Sequence, residues 1–561
     1  MAGVVHRVGG VRSGLAIAPS PAIGAPRSPA IPFNHFYASR TARSARHVSC
    51  SAQAMMGSRV GRLLASLAIL ASIGACAQRQ LRTLTPPGGV RSLDKRSPYL
   101  KAHMRDGRVC ILSAWEVDEA AGRVTGTGVL LGPDRKPIAE GSQTVPLASV
   151  ALFETNVVQK SPGVAALAVI TGISAIVTGY CIGNPKACFG SCPTFYVSDG
   201  ERPVLQAEGF SDSVAPSLEA RDIDALYRVR PAGRDLDVRM TNEALETHVV
   251  RYVQILAAPR PEGGRVLATQ SGELREATDL VAPTACAAAE GDCREAVRRF
   301  DGRERFSGAD PEDLATRELV DLDFGLVDSE ARGLIVGARQ TFLSTFLFYQ
   351  SLAYMGSAAS DWLARLERGD RAVASRAQSL RRALGGIEVL VQDAHGRWVP
   401  AGELYETGPL ASDVKVVPLP RLGRGPLKVR LRLTRGHWRL DYLALARLGA
   451  RVEPISLDPV EVRKDGLVVS APTSGFTTLP GDEYDFAYRL PEDPEGYELF
   501  LDTRGYYLEW MRDEWVAEED QARAVMLFRR PRRALRLLAP EFKKQEAGME
   551  DLFWKSRYVR P

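Results

Sequence analysis

Histidines are the residues of this chain best suited to acid–base or metal chemistry near neutral pH. Four of them stand downstream of residue 76: His103, His248, His395 and His437. None has a partner at a spacing typical of a metal site, and no G-x-S-x-G, H-E-x-x-H, P-loop or G-x-G-x-x-G motif occurs. Paired acids such as Asp482-Glu483 are typical of solvated surfaces. The sequence therefore predicts no catalytic residue, no metal site and no cofactor, and it favours a protein that is not an enzyme.

The strongest candidate for a binding surface is the segment 435–442, RGHWRLDY. It sets aromatic rings beside basic, imidazole and carboxyl groups at a predicted hairpin. Such a ring can stack on the apolar face of a sugar while the polar groups bind its hydroxyls. The expected ligand-binding residues are His437, Trp438, Arg439, Asp441 and Tyr442. In the alternative interpretation, Trp438 and Tyr442 both stand at even positions of a strand and point into a sandwich core.

Two cysteines separated by a short loop, Cys286 and Cys293, are expected to form a disulfide bond. A loop of this length, which includes Gly291, can bring the two Cα atoms within the roughly 5.5–6 Å that a disulfide requires.

A denser run holds Cys181, Cys188 and Cys192. A structural zinc site needs a fourth ligand, and the nearest downstream histidine, His248, is far along the chain. The C-x-x-x-C spacing also differs from the C-x-x-C of thioredoxin-type redox centres. We therefore expect disulfide bonding among these cysteines, with metal or redox chemistry as the alternative.

An export signal precedes these cysteines. From Met55 the chain reads MMGSRVGRLLASLAILASIGAC, with two arginines, an apolar stretch and small residues in the order of a secretory signal peptide. Its end, Ile73-Gly74-Ala75-Cys76, resembles the lipobox of bacterial lipoproteins. The resemblance implies lipidation of Cys76 and attachment to a membrane through that lipid anchor. The alternative is an ordinary signal peptide whose cysteine stands there by chance.

The stretch 1–54 is expected to be a mis-annotated extension, with the true start at Met55 or Met56. A competing interpretation is an organelle transit peptide, because the stretch is rich in arginine, serine and alanine and lacks acids. The expected localisation is the bacterial cell envelope, and Ala77 after the anchor, rather than aspartate, favours the outer membrane.

The charge balance argues against a nucleic-acid partner. The net charge of +5 includes eight arginines within residues 1–75, a stretch that has no lysine, aspartate or glutamate. Without those eight charges the rest of the chain carries −3, with both signs interspersed. Such a chain offers no overall electrostatic footprint for DNA or RNA.

Downstream of the signal peptide at 55–75, the pattern predicts a mainly β fold with helical insertions (α+β). A tether at 76–98 leads to a small β-barrel-like unit at 99–160, where Asp106-Gly107 indicates a hairpin. Residues 161–184 contain no charged residue and are predicted to form an apolar helix. By length, 163–183 is a candidate transmembrane span. We favour a helix buried in protein or lying on the membrane, since a true span would return the rest of the chain to the cytoplasm.

The remaining chain divides into a β-rich region at 185–300, a helical region at 301–384, a β-sandwich at 385–515 and a helical tail at 516–561. Asp310-Pro311-Glu312 has the composition of a helix start. Alternation such as Leu427, Val429 and Leu431 with charged neighbours indicates half-buried antiparallel strands. The strand succession after 385 resembles galactose-binding-like jelly rolls.

The order of lipobox, small β unit, apolar helix, CFGSCPTFYVSDG and DTRGYYLEW resembles a group of uncharacterised bacterial lipoproteins. We expect a membrane-anchored, non-enzymatic binding or scaffold protein whose partner is a glycan or an envelope protein. The alternatives are a cell-envelope hydrolase acting on glycans and a membrane-integrated assembly component that uses 163–183 as a span. A polar cleft with converging acids would favour the hydrolase.

Overall fold

A computed structural model describes residues 79–159, 193–198, 203–328, 330–405, 408–421, 425–469 and 475–556. The chain divides into two compact units, residues 1–77 and residues 78–561, and all described residues belong to the second. The signal peptide, Cys76, the predicted apolar helix at 161–184 and the cysteines at 181, 188 and 192 lie outside the described residues.

The described residues form a mainly β fold with helical insertions, as the sequence predicts. The first six strands are β1 (Arg79–Thr85), β2 (Leu100–Met104), β3 (Val109–Asp118), β4 (Arg123–Leu131), β5 (Pro137–Pro146) and β6 (Val150–Gln159). The next ten are β7 (Thr194–Ser198), β8 (Pro203–Glu208), β9 (Ala220–Ala225), β10 (Asp235–Thr241), β11 (Glu246–Pro259), β12 (Arg265–Ala268), β13 (Leu274–Val281), β14 (Ala285–Ala288), β15 (Gly291–Asp292) and β16 (Arg305–Phe306).

Two long strands, β17 (Arg317–Val327) and β18 (Arg332–Gln340), precede the helical insertion. The strands after it are β19 (Ile387–Gln392), β20 (Trp398–Leu404), β21 (Asp413–Pro418), β22 (Gly425–Thr434), β23 (Trp438–Arg451), β24 (Ile455–Leu457), β25 (Glu461–Lys464), β26 (Leu467–Val469), β27 (Phe476–Thr478), β28 (Glu483–Arg489) and β29 (Tyr497–Glu509).

The α-helices comprise one single short helix and two groups of three. They are α1 (Arg294–Val297), then α2 (Leu343–Met355), α3 (Ala359–Glu367) and α4 (Arg371–Leu384), and finally α5 (Glu514–Ala517), α6 (Gln521–Arg529) and α7 (Pro531–Ser556). Among the helices of the described ranges, none is long and apolar enough to cross a bilayer.

The first six strands make an antiparallel sheet of their own, in the order β1-β6-β2-β3-β4-β5. Its core contains Leu100, Leu112 and Phe153, all fully buried, as well as the free thiol of Cys110. Burial raises the pKa of that thiol to about 11, so it remains protonated and inert.

Four further sheets stack in layers through three hydrophobic cores. The first sheet, β26-β25-β28-β10-β7-β8, packs on the second, which is β24-β11-β29-β9 with β27 added beside β11. The other face of the second sheet packs on the third, β13-β12-β21-β18-β23-β16, and the third packs on the fourth, β15-β14-β17-β22-β19-β20. Strands near the middle of the chain thus pair with strands near its end, because β10 pairs with β28 and β11 with β29.

Apolar and charged residues alternate along β22, and the apolar side of the strand is the buried one. Leu427, Val429, Leu431 and Leu433 all face the core, whereas Lys428 and Arg432 between them do not. This is the period-two pattern of a strand with one buried face. The sandwich expected at 385–515 is therefore present, but it is built together with strands from residues 194–340.

The helices pack into a separate core formed by α2, α3, α4, α6 and α7. Leu84 of β1 and Leu152 of β6 join this core, so the helices contact the sheet formed by β1 to β6. The helix α2 has apolar residues on most sides, as expected for a helix enclosed by protein.

A helix start at Asp310 was expected, and this expectation is wrong. The Asp310 carboxylate accepts bonds from the backbone N–H of Glu312 (2.8 Å) and Asp313 (3.0 Å), but the turn that it closes leads into the strand β17. Residues 301–340 thus contain strands, and helices begin only at Leu343. The pairing of β17 with β22 is a long-range interaction that overrides the local helix signal.

The predicted bond between Cys286 and Cys293 is present, with a Cα–Cα distance of 5.1 Å. The N–H of Cys293 also donates to the carbonyl of Cys286 at 3.0 Å. Both cysteines are buried in the core between the third and fourth sheets. The bridge thus fixes the β14–β15 hairpin against the sandwich.

Candidate functional site

A cavity of about 390 Å³ lies where the helical core meets the second sheet. Its wall comes from α2, α3, α4, α6, the loop at 211–214 and single residues of neighbouring strands. Most of the wall is apolar, including Leu347 and Leu352 of α2 and Leu380 and Leu384 of α4. We call it the helix cavity.

Three aromatic side chains form one part of the cavity wall. Phe348 and Trp362 belong to α2 and α3, and Phe528 belongs to α6. The rings of Trp362 and Phe528 stack, with centroids 5.7 Å apart. Stacked rings of this kind hold the helices together while they present apolar surface to the cavity.

A pair of buried carboxyl groups stands at the polar end of the helix cavity. Glu246 begins β11, Glu509 ends β29, and the two are directly opposite each other in the antiparallel pair. Their carboxyl groups influence each other's pKa. Glu246 belongs to the wall of the cavity, and Glu509 lies behind it and is also buried.

Three further groups surround this carboxyl pair. The His248 Nε2 lies 2.7 Å from the Glu246 Oε1. The Tyr349 hydroxyl donates to the Glu509 Oε1 at 2.9 Å, and the Arg512 Nη2 donates to the Glu509 Oε2 at 3.2 Å. Every one of these side chains except that of Tyr349 is almost entirely buried.

Burial changes the acidity of both carboxyls. It raises the pKa of Glu246 to about 8 and that of Glu509 to about 7, although the Arg512 guanidinium opposes both shifts. Two carboxylates in contact cannot both ionise cheaply, so the pair holds one shared proton near neutral pH. The single remaining negative charge is balanced by Arg512, which makes the cluster electrically neutral.

The wall also contains three polar groups that have no partner. The Nδ1 of His437, the Oγ of Ser213 and the Nε1 of Trp362 are buried and lack a hydrogen bond to any described residue. Burial lowers the pKa of His437 to about 3, helped by the charges of Arg317 and Arg381, so the ring is neutral. A buried polar atom without a partner costs roughly 1–3 kcal/mol, which a ligand atom in the cavity would recover.

The turn before His437 fixes this ring beside α2. Gly436 adopts a φ of +71°, and a Cβ there would lie 2.4 Å from the Cα of Ala309, so only glycine fits. Thr341, just before α2, donates its N–H to the carbonyl of His437 at 3.0 Å and its hydroxyl to the carbonyl of Gly436 at 2.6 Å.

The other residues of the predicted sugar-binding segment do not form an exposed face. Trp438 is 1% exposed and packs in the core between the third and fourth sheets. Asp441 is fully buried, and its carboxylate accepts the N–H of Gly302 at 2.9 Å and the guanidinium of Arg228 at 2.7 Å. Tyr442 packs on Tyr227 with ring centroids 6.1 Å apart. The interpretation of Trp438 as a core residue is therefore the one that the structure supports.

Arg439 lines a second cavity, of about 430 Å³, together with Arg228, Arg339 and Glu304. Its charges are already compensated. Arg339 forms a bidentate pair with Glu304, at 2.5 and 2.7 Å, and Arg439 lies 3.6 Å from the same carboxylate. Because no guanidinium here lacks an acid, the helix cavity is the better candidate site.

The two remaining histidines of the described chain outside this site, His103 and His395, do not line either cavity. The Nε2 of His103 lies 2.9 Å from the Glu154 Oε2 inside the sheet formed by β1 to β6. His395 is exposed at the turn between β19 and β20, where its N–H donates to the Asp393 carboxylate. Within the described ranges, no group of three histidine, cysteine, aspartate or glutamate side chains could hold a metal ion.

Sequence reasoning did not find the carboxyl pair. Glu246 and Glu509 stand in different strands far apart along the chain, and neither belongs to an acidic run. Their only local signal is the Glu246-x-His248 spacing, which places both side chains on one face of a strand. The paired acid that was considered has other roles: Asp482 binds Lys464 at 2.8 Å and the N–H of Leu479 at 2.8 Å.

No protein-family model matches this chain, and no curated protein is significantly similar to it.

Proposed function

We propose that this chain is a bacterial envelope lipoprotein, anchored through Cys76, that binds an amphipathic small molecule in the helix cavity without transforming it. The observation that carries the proposal is the composition of the wall, which is apolar along the helices and has buried polar groups at Glu246, His437 and Ser213. Ligand sites are commonly concave and apolar with a few placed polar groups.

The wall favours a ligand with an aliphatic body. Each methylene group that leaves water for such a wall contributes about 0.8 kcal/mol. The neutral His437 ring and the Ser213 hydroxyl would bind an uncharged polar group or a hydrogen-bond donor of the ligand. A glycan, which the segment 437–442 suggested, finds less support, because the ring of Trp438 is not accessible.

The carboxyl pair does not favour the alternative of a glycan hydrolase. The two carboxyls of a glycosidase are separated by about 5–5.5 Å or about 6.5–9.5 Å, which leaves room for the sugar or for water. Glu246 and Glu509 instead stand directly opposite each other in one strand pair, and only Glu246 belongs to the cavity wall. We therefore assign the pair to the polar end of a binding site.

Processing at Cys76 tests the anchoring part of the proposal. When the full chain is expressed in a bacterium that processes lipoproteins, mass spectrometry of the membrane fraction should find an acylated N-terminus at Cys76. The matched variant Cys76→Ser should lose the acyl groups and leave the membrane fraction. Recovery of peptides from residues 1–54 in the mature protein would contradict the assignment.

Filling the cavity tests the binding part. Ala377 of α4 lines the helix cavity, so Ala377→Trp should weaken the binding of a dansyl-labelled fatty alcohol at least about tenfold, because the indole occupies the space of the ligand. Fluorescence titration gives the dissociation constant. The control Ala372→Trp changes an exposed alanine of the same helix and should bind like the parent.

Circular dichroism of both variants shows that α4 is intact. Lack of saturable binding by the parent chain, or equal binding by all three proteins, would contradict a ligand site in the helix cavity.

A further inference from the structure

The segment from Gln521 to Pro540 is strongly basic. It contains six arginines and no acidic residue, and it forms α6 and the first turns of α7. The helix α4, which packs against both, has four arginines and no acid over its whole length. The helices α4, α6 and the first turns of α7 thus concentrate positive charge in a chain that is otherwise near neutral.

Four of these arginines have no acidic partner. Arg523 pairs with Glu541 at 3.0 Å, and Arg536 with Asp313 at 3.3 Å. The side chains of the other four are exposed and form no ion pair or hydrogen bond with any described residue: Arg529, Arg530, Arg532 and Arg533. Other exposed arginines of the described chain differ in this respect: Arg91 and Arg96 pair with acids, whereas Arg299 and Arg371 form no ion pair with a described acid.

Exposed apolar side chains accompany these charges. Val525 is 50% exposed and stands one helical turn before Arg529, on the same face of α6. Leu537 is 54% exposed and stands one turn after Arg533, on the same face of α7. Basic side chains beside exposed aliphatic ones are the composition of protein surfaces that lie on lipid.

We propose that the basic face, formed by Arg529, Arg530, Arg532 and Arg533 with Val525 and Leu537, docks on an anionic lipid bilayer. The guanidinium groups would bind lipid phosphates in bidentate fashion, and the two aliphatic side chains would enter the headgroup region. A nucleic acid would also attract the arginines, but it gives no role to the exposed Val525 and Leu537. The bilayer is therefore the partner that uses the whole surface.

The position of the basic face connects it with the helix cavity. Phe528, the residue before Arg529, stacks on Trp362 and belongs to the cavity wall. Docking of α6 on a bilayer would bring this wall close to lipid. The docking proposal does not rest on the proposed ligand binding, because vesicle binding and fatty-alcohol binding are measured separately.

Vesicle sedimentation tests the docking. Residues 77–561, which lack both Cys76 and the eight arginines of residues 1–75, are mixed at low salt with vesicles that contain phosphatidylglycerol or with phosphatidylcholine vesicles. The quadruple variant R529Q/R530Q/R532Q/R533Q should bind the anionic vesicles roughly 600-fold more weakly, because each of the four arginines near an anionic leaflet strengthens binding about fivefold. Added salt should weaken the parent and leave the variant nearly unchanged.

The matched control removes the same charge elsewhere. R91Q/R96Q/R123Q/R451Q changes four exposed arginines that have acidic partners and should bind nearly as the parent does. Equal loss in both quadruple variants would show a net-charge effect and overturn the proposal, as would equal binding of the parent to both vesicle types. Tighter binding to a polynucleotide than to anionic vesicles would also overturn it. If the first variant misfolds, Val525→Asp with Leu537→Asp must reproduce the loss.

Discussion

Replacing Trp438 with alanine should lower the free energy of unfolding by about 4 kcal/mol. The side chain is 1% exposed, and it fills space between the third and fourth sheets beside Leu440 and Leu433. Its removal leaves a cavity that the long strands around it cannot close, because β23 is paired on both sides with neighbours. Urea unfolding of parent and variant, followed by fluorescence or circular dichroism, measures the difference.

Trp398→Ala is the matched control for this change. Trp398 stands in the edge strand β20, is only half-buried and packs under the Arg430 guanidinium, 4.2 Å from the ring centroid. Its loss should cost about 1 kcal/mol. A Trp438→Ala protein as stable as the Trp398→Ala protein, but deficient in glycan binding, would restore the segment 437–442 as a sugar site.

The sequence was sufficient to predict the local elements of the sandwich but not their partners. Alternation in Leu427–Leu433 identified a strand with one buried face, and the short loop between Cys286 and Cys293 identified the disulfide. Neither pattern predicts which strands pair with each other. Alternation with a period of two shows which face of a strand is buried, but it does not identify the neighbouring strand in the sheet. The pairing of β10 with β28 and of β11 with β29 depends on contacts between distant parts of the chain.

The same limit explains the partial prediction of the site. His437 was singled out from its neighbours in sequence, and it does line the helix cavity. Glu246 and Glu509 become a pair only when β11 and β29 come together. At Asp310 the local signal predicted a helix that is not present. An aspartate of this kind can cap a helix, but it can also close a turn, and here the turn leads into the strand β17.

The carboxyl pair should make stability depend on pH, and Glu246→Gln should reduce that dependence. The folded chain keeps a proton on Glu246 up to a pKa of about 8, whereas the unfolded chain releases it near the ordinary value of 4.5. Between these values the folded state binds more protons, so the free energy of unfolding falls as the pH rises. The stabilisation is complete below about pH 4.5 and is lost as the pH passes through 8.

Glutamine keeps the contacts of the protonated carboxyl at all pH values. Its amide can donate to Glu509 and accept from His248, while Arg512 still balances the charge of Glu509. We expect the two proteins to be similarly stable near pH 5 and the variant to be more stable by about 2–4 kcal/mol near pH 9, since one proton changes stability by about 1.4 kcal/mol per pH unit. Denaturant unfolding at a series of pH values measures this difference.

A matched change of an exposed acid separates the buried pair from general charge effects. Glu262 lies in the turn after β11 and is exposed, so Glu262→Gln should follow the pH profile of the parent. If Glu246→Gln also followed that profile, or lost stability equally at every pH, the shared proton would be refuted. The pair would then be a fully ionised group held by Arg512 alone, and the polar end of the helix cavity would carry a negative charge that selects a cationic ligand instead of a neutral one.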